Sequence, residues 1–204
     1  DAGDEPAVLI GHSTGGFAAL ALAARYPKQV RAVISLAGFA QGRWQGALGL
    51  EQRLARQRPL GRWLFRTTYA LNRLTRAGQR ASWAVYTPRP RRLFASPHFD
   101  EVFAGVYPAF KRLDLRAMAQ YFAVMPDVDI TGWLPDIKAP TLVVTGDQDT
   151  IIPPSQARWI ARHIPSAAVE IIKGAGHILT VEQPEAYRRT VKEWLDRLGL
   201  PSIR

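Results

Sequence analysis

The sequence of 204 residues contains no cysteine, only four histidines and no long hydrophobic run. The absence of cysteine excludes disulfides, thiolate zinc sites and a cysteine nucleophile. Four scattered histidines argue against a histidine-rich metal site, and nothing in the sequence indicates a nucleotide or flavin. No apolar run approaches the roughly 18 residues that span a bilayer, and the first residues resemble no signal sequence. We therefore expect a cytoplasmic protein without a metal or other cofactor.

The residues that are present form an ordinary globular composition. Hydrophobic residues make up 47% and charged residues 22% of the chain, with 15 prolines and 16 glycines. This composition excludes a disordered, collagen-like or coiled-coil protein. The length is sufficient for one domain with a substantial buried core.

The positive charge is concentrated in one segment. The formal net charge is +10, and residues 43–92 alone hold 12 arginines against one acidic residue, Glu51. Such a segment attracts polyanions. We expect no nucleic acid as partner, since no nucleic-acid module or interleaved stacking aromatics accompany the arginines. Anionic lipid or an acidic protein remains a candidate partner, and the favoured alternative is a solvated arginine-rich helical face.

The beginning of the chain has the pattern of a strand, a helix and a second strand. A short apolar run at residues 7–10 and another at 30–36 predict strands covered on both faces, as in a parallel sheet. The alanine- and leucine-rich residues between them, 17–26, predict a helix that ends at Pro27. This is a βαβ unit.

The alternation stops at residue 41 and resumes near residue 131. The intervening residues predict helices and loops, including two arginine-rich helices within 51–81 joined near Pro59, with later prolines such as Pro108 interrupting the rest. Strands at 141–145 and 169–172, a helix at 155–163 and a last helix follow. We therefore predict an α/β fold with a parallel sheet, a core of residues 1–40 and 131–204, and a helical cap insertion of residues 41–130.

A glycine-rich turn directly follows the first predicted strand. Its sequence, Gly11-His12-Ser13-Thr14-Gly15, fits G-x-S-x-G, the nucleophile elbow, in which glycines beside the nucleophile avoid clashes. Ser13 is therefore the candidate nucleophile, with the N–H groups of a helix N-terminus behind it. The alternative is a glycine turn that only joins a strand to a helix.

A serine nucleophile needs a base, and the base needs a carboxylate. His177, in a glycine-flanked loop after the last strand, is the candidate base. We interpret His12, His98 and His163 as structural. Asp149 is the preferred carboxylate because it lies further beyond the third strand than Asp147, which stays the alternative.

The sequence resembles the α/β-hydrolase fold superfamily. The resemblance rests on the Ser13, Asp149, His177 order and on four segments, which are Gly-His-Ser-Thr-Gly-Gly at 11–16, the strand and loop at 139–149, Ile-Pro at 152–153, and Gly-Ala-Gly-His at 174–177. Glu182-Gln-Pro-Glu185 is also similar to this family. The resemblance implies hydrolysis of a small-molecule ester or related acyl substrate through a covalent acyl-serine, beneath a cap. It also implies an oxyanion hole that uses the Thr14 N–H.

The resemblance has one departure. In this family a second oxyanion donor comes from a loop after an earlier strand, and the 12 residues before Ser13 contain no such loop. We therefore expect the chain to be the C-terminal part of a hydrolase. A non-catalytic fragment whose basic cap binds an anionic partner is an alternative, as are acyl transfer, perhydrolysis or lyase chemistry on the same three residues.

The predicted insertion is rich in aromatic residues, which suit either an acyl pocket or core packing. They are Trp44, Trp63, Phe65, Tyr69, Trp83, Tyr86, Phe94, Phe99, Phe103, Tyr107 and Phe110.

Overall fold

Four apolar runs form a parallel sheet in the computed structural model, which describes residues 5–201. The strands lie in chain order across the sheet and are all parallel. They are β1 (Ala7–His12), β2 (Val30–Leu36), β3 (Thr141–Gly146) and β4 (Ala167–Ile172). Every residue of β3 is buried, as expected for a strand covered on both faces. The predicted α/β class with a parallel sheet is confirmed.

Helices connect these strands and fill the long segment between β2 and β3. Three 3₁₀ turns lie at Trp83–Tyr86, Met125–Asp127 and Thr131–Asp136. The α-helices are α1 (Thr14–Arg25), α2 (Gly46–Arg56), α3 (Leu60–Asn72), α4 (Arg76–Ser82), α5 (Pro90–Ala95), α6 (Phe99–Arg112), α7 (Leu115–Val124), α8 (Pro154–His163), α9 (Leu179–Glu182) and α10 (Pro184–Arg197).

We call the residues between β2 and β3 the helical segment. Two expectations about this segment are wrong. Residues 51–81 fall in three helices, since the chain breaks at residues 73–75 as well as before Leu60. Pro108 does not end a helix but lies inside α6. A proline costs one helical hydrogen bond, and the burial of Phe99 and Phe103 on the same helix outweighs that loss.

Alternate residues of β2 reach opposite faces of the sheet, and each face has its own core. Val33 packs with Leu20 of α1 and Ile160 of α8 on one face. Ile34 packs with Trp194 of α10 on the other. This two-sided burial fixes the register of the sheet, because a shift of one residue would exchange the two cores.

The helices between β2 and β3 carry two further aromatic clusters. One contains Phe65 of α3 and Phe122 of α7. The other contains Trp83 and Phe99, together with Val181 of α9. Every aromatic residue named for the predicted insertion belongs to one of these clusters except Trp63, so packing accounts for most of them.

The helices are short. The longest, α6 and α10, have 14 residues each. Within residues 5–201, none has the length and apolar character required to cross a bilayer.

Candidate active site

Ser13 is the single residue between β1 and α1. Its φ of 54° and ψ of −114° lie where residues other than glycine are rarely found. This conformation turns the chain sharply from strand to helix. It leaves Ser13 partly exposed at the N-terminus of α1, where N–H groups favour negative charge.

Two glycines permit this sharp turn, and only one of them is a glycine of the motif. A Cβ on Gly11 would overlap the carbonyl group of Gly15, as the motif predicts. A Cβ on Gly16 would lie 2.8 Å from Ser35 Oγ and 2.9 Å from Gly38 Cα. Gly15 has no atom within 4 Å of the corresponding position, so the expectation that it must be glycine is wrong. The second steric requirement falls on Gly16.

We expect Gly16→Ala to destabilise the protein by about 1–3 kcal/mol, because the new methyl group forces α1 away from the backbone at Gly38. Gly15→Ala is the matched control, and it should be neutral or slightly stabilising because alanine favours a helix and has free space there. Urea unfolding of both variants measures the difference. Equal effects of the two substitutions would contradict this account of the turn.

The structure brings Ser13, Asp149 and His177 into one hydrogen-bonded line. They follow β1, β3 and β4, so all three lie at the carboxyl edge of the sheet. His177 Nδ1 lies 2.8 Å from Asp149 Oδ2, and His177 Nε2 lies 3.0 Å from Ser13 Oγ. Because the carboxylate accepts the Nδ1–H, the neutral ring presents an unprotonated Nε2 to the Ser13 hydroxyl. This arrangement can remove the hydroxyl proton as the oxygen attacks a carbonyl carbon.

Asp149 is held by the turn that follows it. Its Oδ1 accepts hydrogen bonds of 2.9 Å from the N–H groups of both Ile151 and Ile152, and its side chain is fully buried. Asp147 points elsewhere and accepts a hydrogen bond from the Gly174 N–H. Of the two candidate carboxylates, the structure therefore brings Asp149 and not Asp147 to His177.

The other three histidines lie outside this line. The Nε2–H of His12 donates to the backbone oxygen of His177 at 2.8 Å. Burial and the neighbouring His177 lower the pKa of His12 to about 4, so His12 is neutral at pH 7. His163 bonds through Nδ1 to the Trp159 carbonyl within α8, and His98 precedes α6.

Comparison with known proteins agrees with this geometry. Residues 2–184 match the family model described as the alpha/beta hydrolase fold. The chain belongs to the α/β-hydrolase family. Its predicted membership of that superfamily is thereby confirmed, and so is the prediction that it is a hydrolase enzyme.

Individual relatives of this α/β-hydrolase are named for different activities. The chain is 26% identical to a pimeloyl-[acyl-carrier protein] methyl ester esterase of Neisseria meningitidis, covering 95% of this chain and 71% of the esterase. It is 30% identical to the proline iminopeptidase PfmaB of Pestalotiopsis fici, with coverages of 95% and 68%. The crystal structure of MGS-M2, an alpha/beta hydrolase from a Medee basin deep-sea metagenome library, superposes with a TM-score of 0.70 at 22% identity, covering 99% of this chain and 68% of MGS-M2.

The His177 loop of this hydrolase is held by a partly buried carboxylate. Glu182 Oε2 accepts hydrogen bonds from the Gly176 N–H at 3.0 Å and from the Thr87 hydroxyl at 2.8 Å. Its Oε1 accepts one from the Ile178 N–H at 3.2 Å. Burial raises the pKa of Glu182, and the negative charge of Asp149 raises it further. One side chain therefore holds the N–H groups of the residues immediately before and after His177.

The same loop also contacts the end of a 3₁₀ turn in the helical segment. The His177 N–H donates to the Tyr86 carbonyl at 3.1 Å, and the two rings stack with centroids 6.0 Å apart. Thr87, the next residue, bonds to Glu182. The position of His177 thus depends on residues 86 and 87 as well as on the sheet.

We expect Glu182→Ala to lower the kcat for ester hydrolysis by up to about 10²-fold with little change in KM, because a displacement of about 1 Å at a reacting group has effects of this size. Glu182→Gln should lose less, since one acceptor oxygen remains. Glu185→Ala is the control, as Glu185 is exposed near the start of α10 and pairs with Arg188. An equal loss in the control, or an effect on KM alone, would rule out this positioning role.

Thr14 begins α1 and faces the helical segment. Its hydroxyl lies 2.6 Å from the Tyr121 hydroxyl of α7. Burial raises the pKa of Tyr121, so this phenol is neutral at pH 7. The predicted use of the Thr14 N–H in an oxyanion hole stays a prediction. No metal-binding group of three or more His, Asp or Glu side chains occurs within residues 5–201.

Sequence reasoning missed the contacts that connect the helical segment to the site. Thr87 and Glu182 are 95 residues apart, and Thr14 and Tyr121 are 107 apart. Glu182 belongs to a pattern that resembles the family, and this was a local signal for it. For Thr87 and Tyr121 no local pattern indicated the contact.

Proposed function

We propose that this protein hydrolyses an ester or related acyl bond through a covalent acyl-serine, with Ser13 as nucleophile, His177 as acid and base, and Asp149 as the residue that orients the base. The observation that supports this most is the unbroken line from Asp149 Oδ2 through both ring nitrogens of His177 to Ser13 Oγ, with separations of 2.8 and 3.0 Å.

The proposed reaction has two halves. Ser13 Oγ attacks the substrate carbonyl carbon while His177 Nε2 accepts the hydroxyl proton, which gives a tetrahedral oxyanion near the Thr14 N–H. His177 returns the proton to the departing alcohol, and the acyl group stays on Ser13. Water then attacks the acyl carbon while His177 accepts its proton. Collapse of this intermediate releases the carboxylic acid and returns the proton to Ser13 Oγ.

We further propose that residues 41–130 act as a cap over a core formed by residues 1–40 and 131–204. Tyr121, which contacts Thr14, packs against Trp44 and Phe122. An aromatic wall beside the nucleophile favours a substrate with an apolar acyl group. Several chemical classes of small ester would satisfy this requirement.

Labelling with a fluorophosphonate tests the proposal, because such probes react with a serine that a base activates. We expect the label on Ser13 in the unmodified chain, on Ser13 in the exposed-serine control Ser155→Ala, and none in Ser13→Ala. A folded chain that stays unlabelled would favour the non-catalytic alternative. Product analysis with an added alcohol or peroxide separates hydrolysis from acyl transfer and perhydrolysis.

For the arginine-rich segment we propose an anionic partner, either lipid or an acidic protein. Few of its charges are neutralised within the part of the chain that the structure describes. Arg56 pairs with Asp127 and Arg80 with Asp100, whereas Arg58 and Arg66 are exposed and form no ion pair within that part.

A further inference from the structure

Helix α3 has two apolar faces, and only one of them is covered. The inner face carries Phe65, which is 1% exposed and packs against Phe122 and Tyr69. The outer face carries large apolar residues near the start of the helix and again at its end and just past it, with Thr67 and Thr68 between the two groups. They are Leu60, Trp63, Leu64, Leu71 and Leu74, with exposed fractions of 65%, 58%, 39%, 60% and 72%. We call these five residues the outer stripe.

The outer stripe is not needed for the folding of the helical segment. The amphipathic requirement of α3 is already met by its inner face. Exposed residues of this size normally occur singly, and several of them along one helix indicate an interaction surface.

Arginines border the outer stripe. Residues 58–76 contain five arginines and no acidic residue. Two of them, Arg66 and Arg73, line an open cavity of about 570 Å³ together with Trp63, Asp114 and Arg116. The Asp114 carboxylate accepts hydrogen bonds from the Arg116 and Ala117 N–H groups. The excess charge beside the stripe is therefore positive.

The combination of charge and apolar area discriminates among partners. A second copy of the chain would bring two arginine-rich surfaces together, which like-charge repulsion opposes. An acidic protein could form ion pairs with the arginines, but it would also need an apolar groove that buries the five side chains of the outer stripe. A bilayer with anionic headgroups satisfies both, since acyl chains accept leucine and tryptophan while phosphates pair with arginine.

We propose that α3 docks this protein on an anionic lipid surface, with the outer stripe inserted at the headgroup boundary and Arg58, Arg66 and Arg73 on the phosphates. The inference rests on the anionic partner proposed above and is independent of the proposed hydrolysis. It makes the helical segment a peripheral membrane-binding element.

Sedimentation with sucrose-loaded vesicles tests the proposal. We expect the full chain to bind vesicles that contain phosphatidylglycerol, to bind pure phosphatidylcholine vesicles far less, and to dissociate as salt rises. Arg66→Gln and Arg73→Gln should each weaken binding roughly fivefold. Trp63→Ala should also weaken it, and should remove most of the blue shift in tryptophan fluorescence on binding.

Trp133→Ala is the matched control, because Trp133 is 42% exposed but belongs to a 3₁₀ turn beside α1. It should leave binding and the blue shift unchanged. Equal affinity for the two vesicle types, or equal losses in Trp63→Ala and Trp133→Ala, would overturn the lipid proposal. Salt-sensitive binding to polyglutamate without vesicle binding would overturn it too, while leaving an acidic protein as the anionic partner.

Discussion

Ser13→Ala is expected to lower the kcat for an activated ester by about 10⁴- to 10⁶-fold, which is the loss typical of removing a serine nucleophile. The fold should survive, because the substitution removes one hydroxyl and one hydrogen bond at a partly exposed position. The free energy of unfolding should therefore change by no more than about 1 kcal/mol. Initial rates with a p-nitrophenyl ester and urea unfolding measure the two effects.

Two results would contradict the assignment of Ser13. One is turnover by Ser13→Ala within a few-fold of the unmodified chain. The other is a loss of turnover that accompanies unfolding, which would make Ser13 a structural residue. Ser155→Ala, at an exposed serine in α8, controls for the general effect of losing a serine hydroxyl.

Asp149→Asn is expected to lower kcat by about 10⁴-fold, through the tautomer of His177 rather than through charge alone. The amide oxygen of the new side chain would keep the hydrogen bonds from the Ile151 and Ile152 N–H groups, because both now go to Oδ1. Its NH₂ group would then face His177 Nδ1 and require that nitrogen to accept. The ring proton would move to Nε2, where it blocks removal of the Ser13 proton.

Asp147→Asn is the matched control for this substitution. Asp147 lies two residues away, at the same sheet edge, and bonds to the Gly174 N–H instead of His177. We expect it to keep kcat within about threefold of the unmodified chain, as surface substitutions generally do. If Asp147→Asn lost as much activity as Asp149→Asn, the assignment of the orienting carboxylate would be wrong.

The sequence allowed the prediction of the features that local pattern determines. The strand at Val30–Leu36 has its predicted bounds, because a short and largely apolar segment between a proline turn and a glycine has few other structures. Ser13, Asp149 and His177 could be chosen because each follows a predicted strand, and the ends of parallel strands meet at one edge. The structure brings these three residues together.

What sequence could not predict depends on packing between distant segments. The need for glycine at position 16 comes from Ser35 of β2 and from Gly38, two residues past the end of that strand, which both approach α1. The continuation of α6 through Pro108 depends on burial elsewhere along the helix. The bonds from Glu182 to Thr87 and to the His177 loop join three segments whose relative positions no local pattern contains.

The contacts of Tyr86 and Thr87 with the His177 loop restrict how substrate can reach Ser13. Lids over active sites open and close through hinge residues, but movement of residues 86 and 87 would break the hydrogen bonds that join them to His177 and Glu182. An open state with this end displaced would lose the aligned base. In the proposed cap, we therefore expect substrate entry to use motion of other parts, such as α7 with its Tyr121 contact to Thr14, while residues 86 and 87 stay in place.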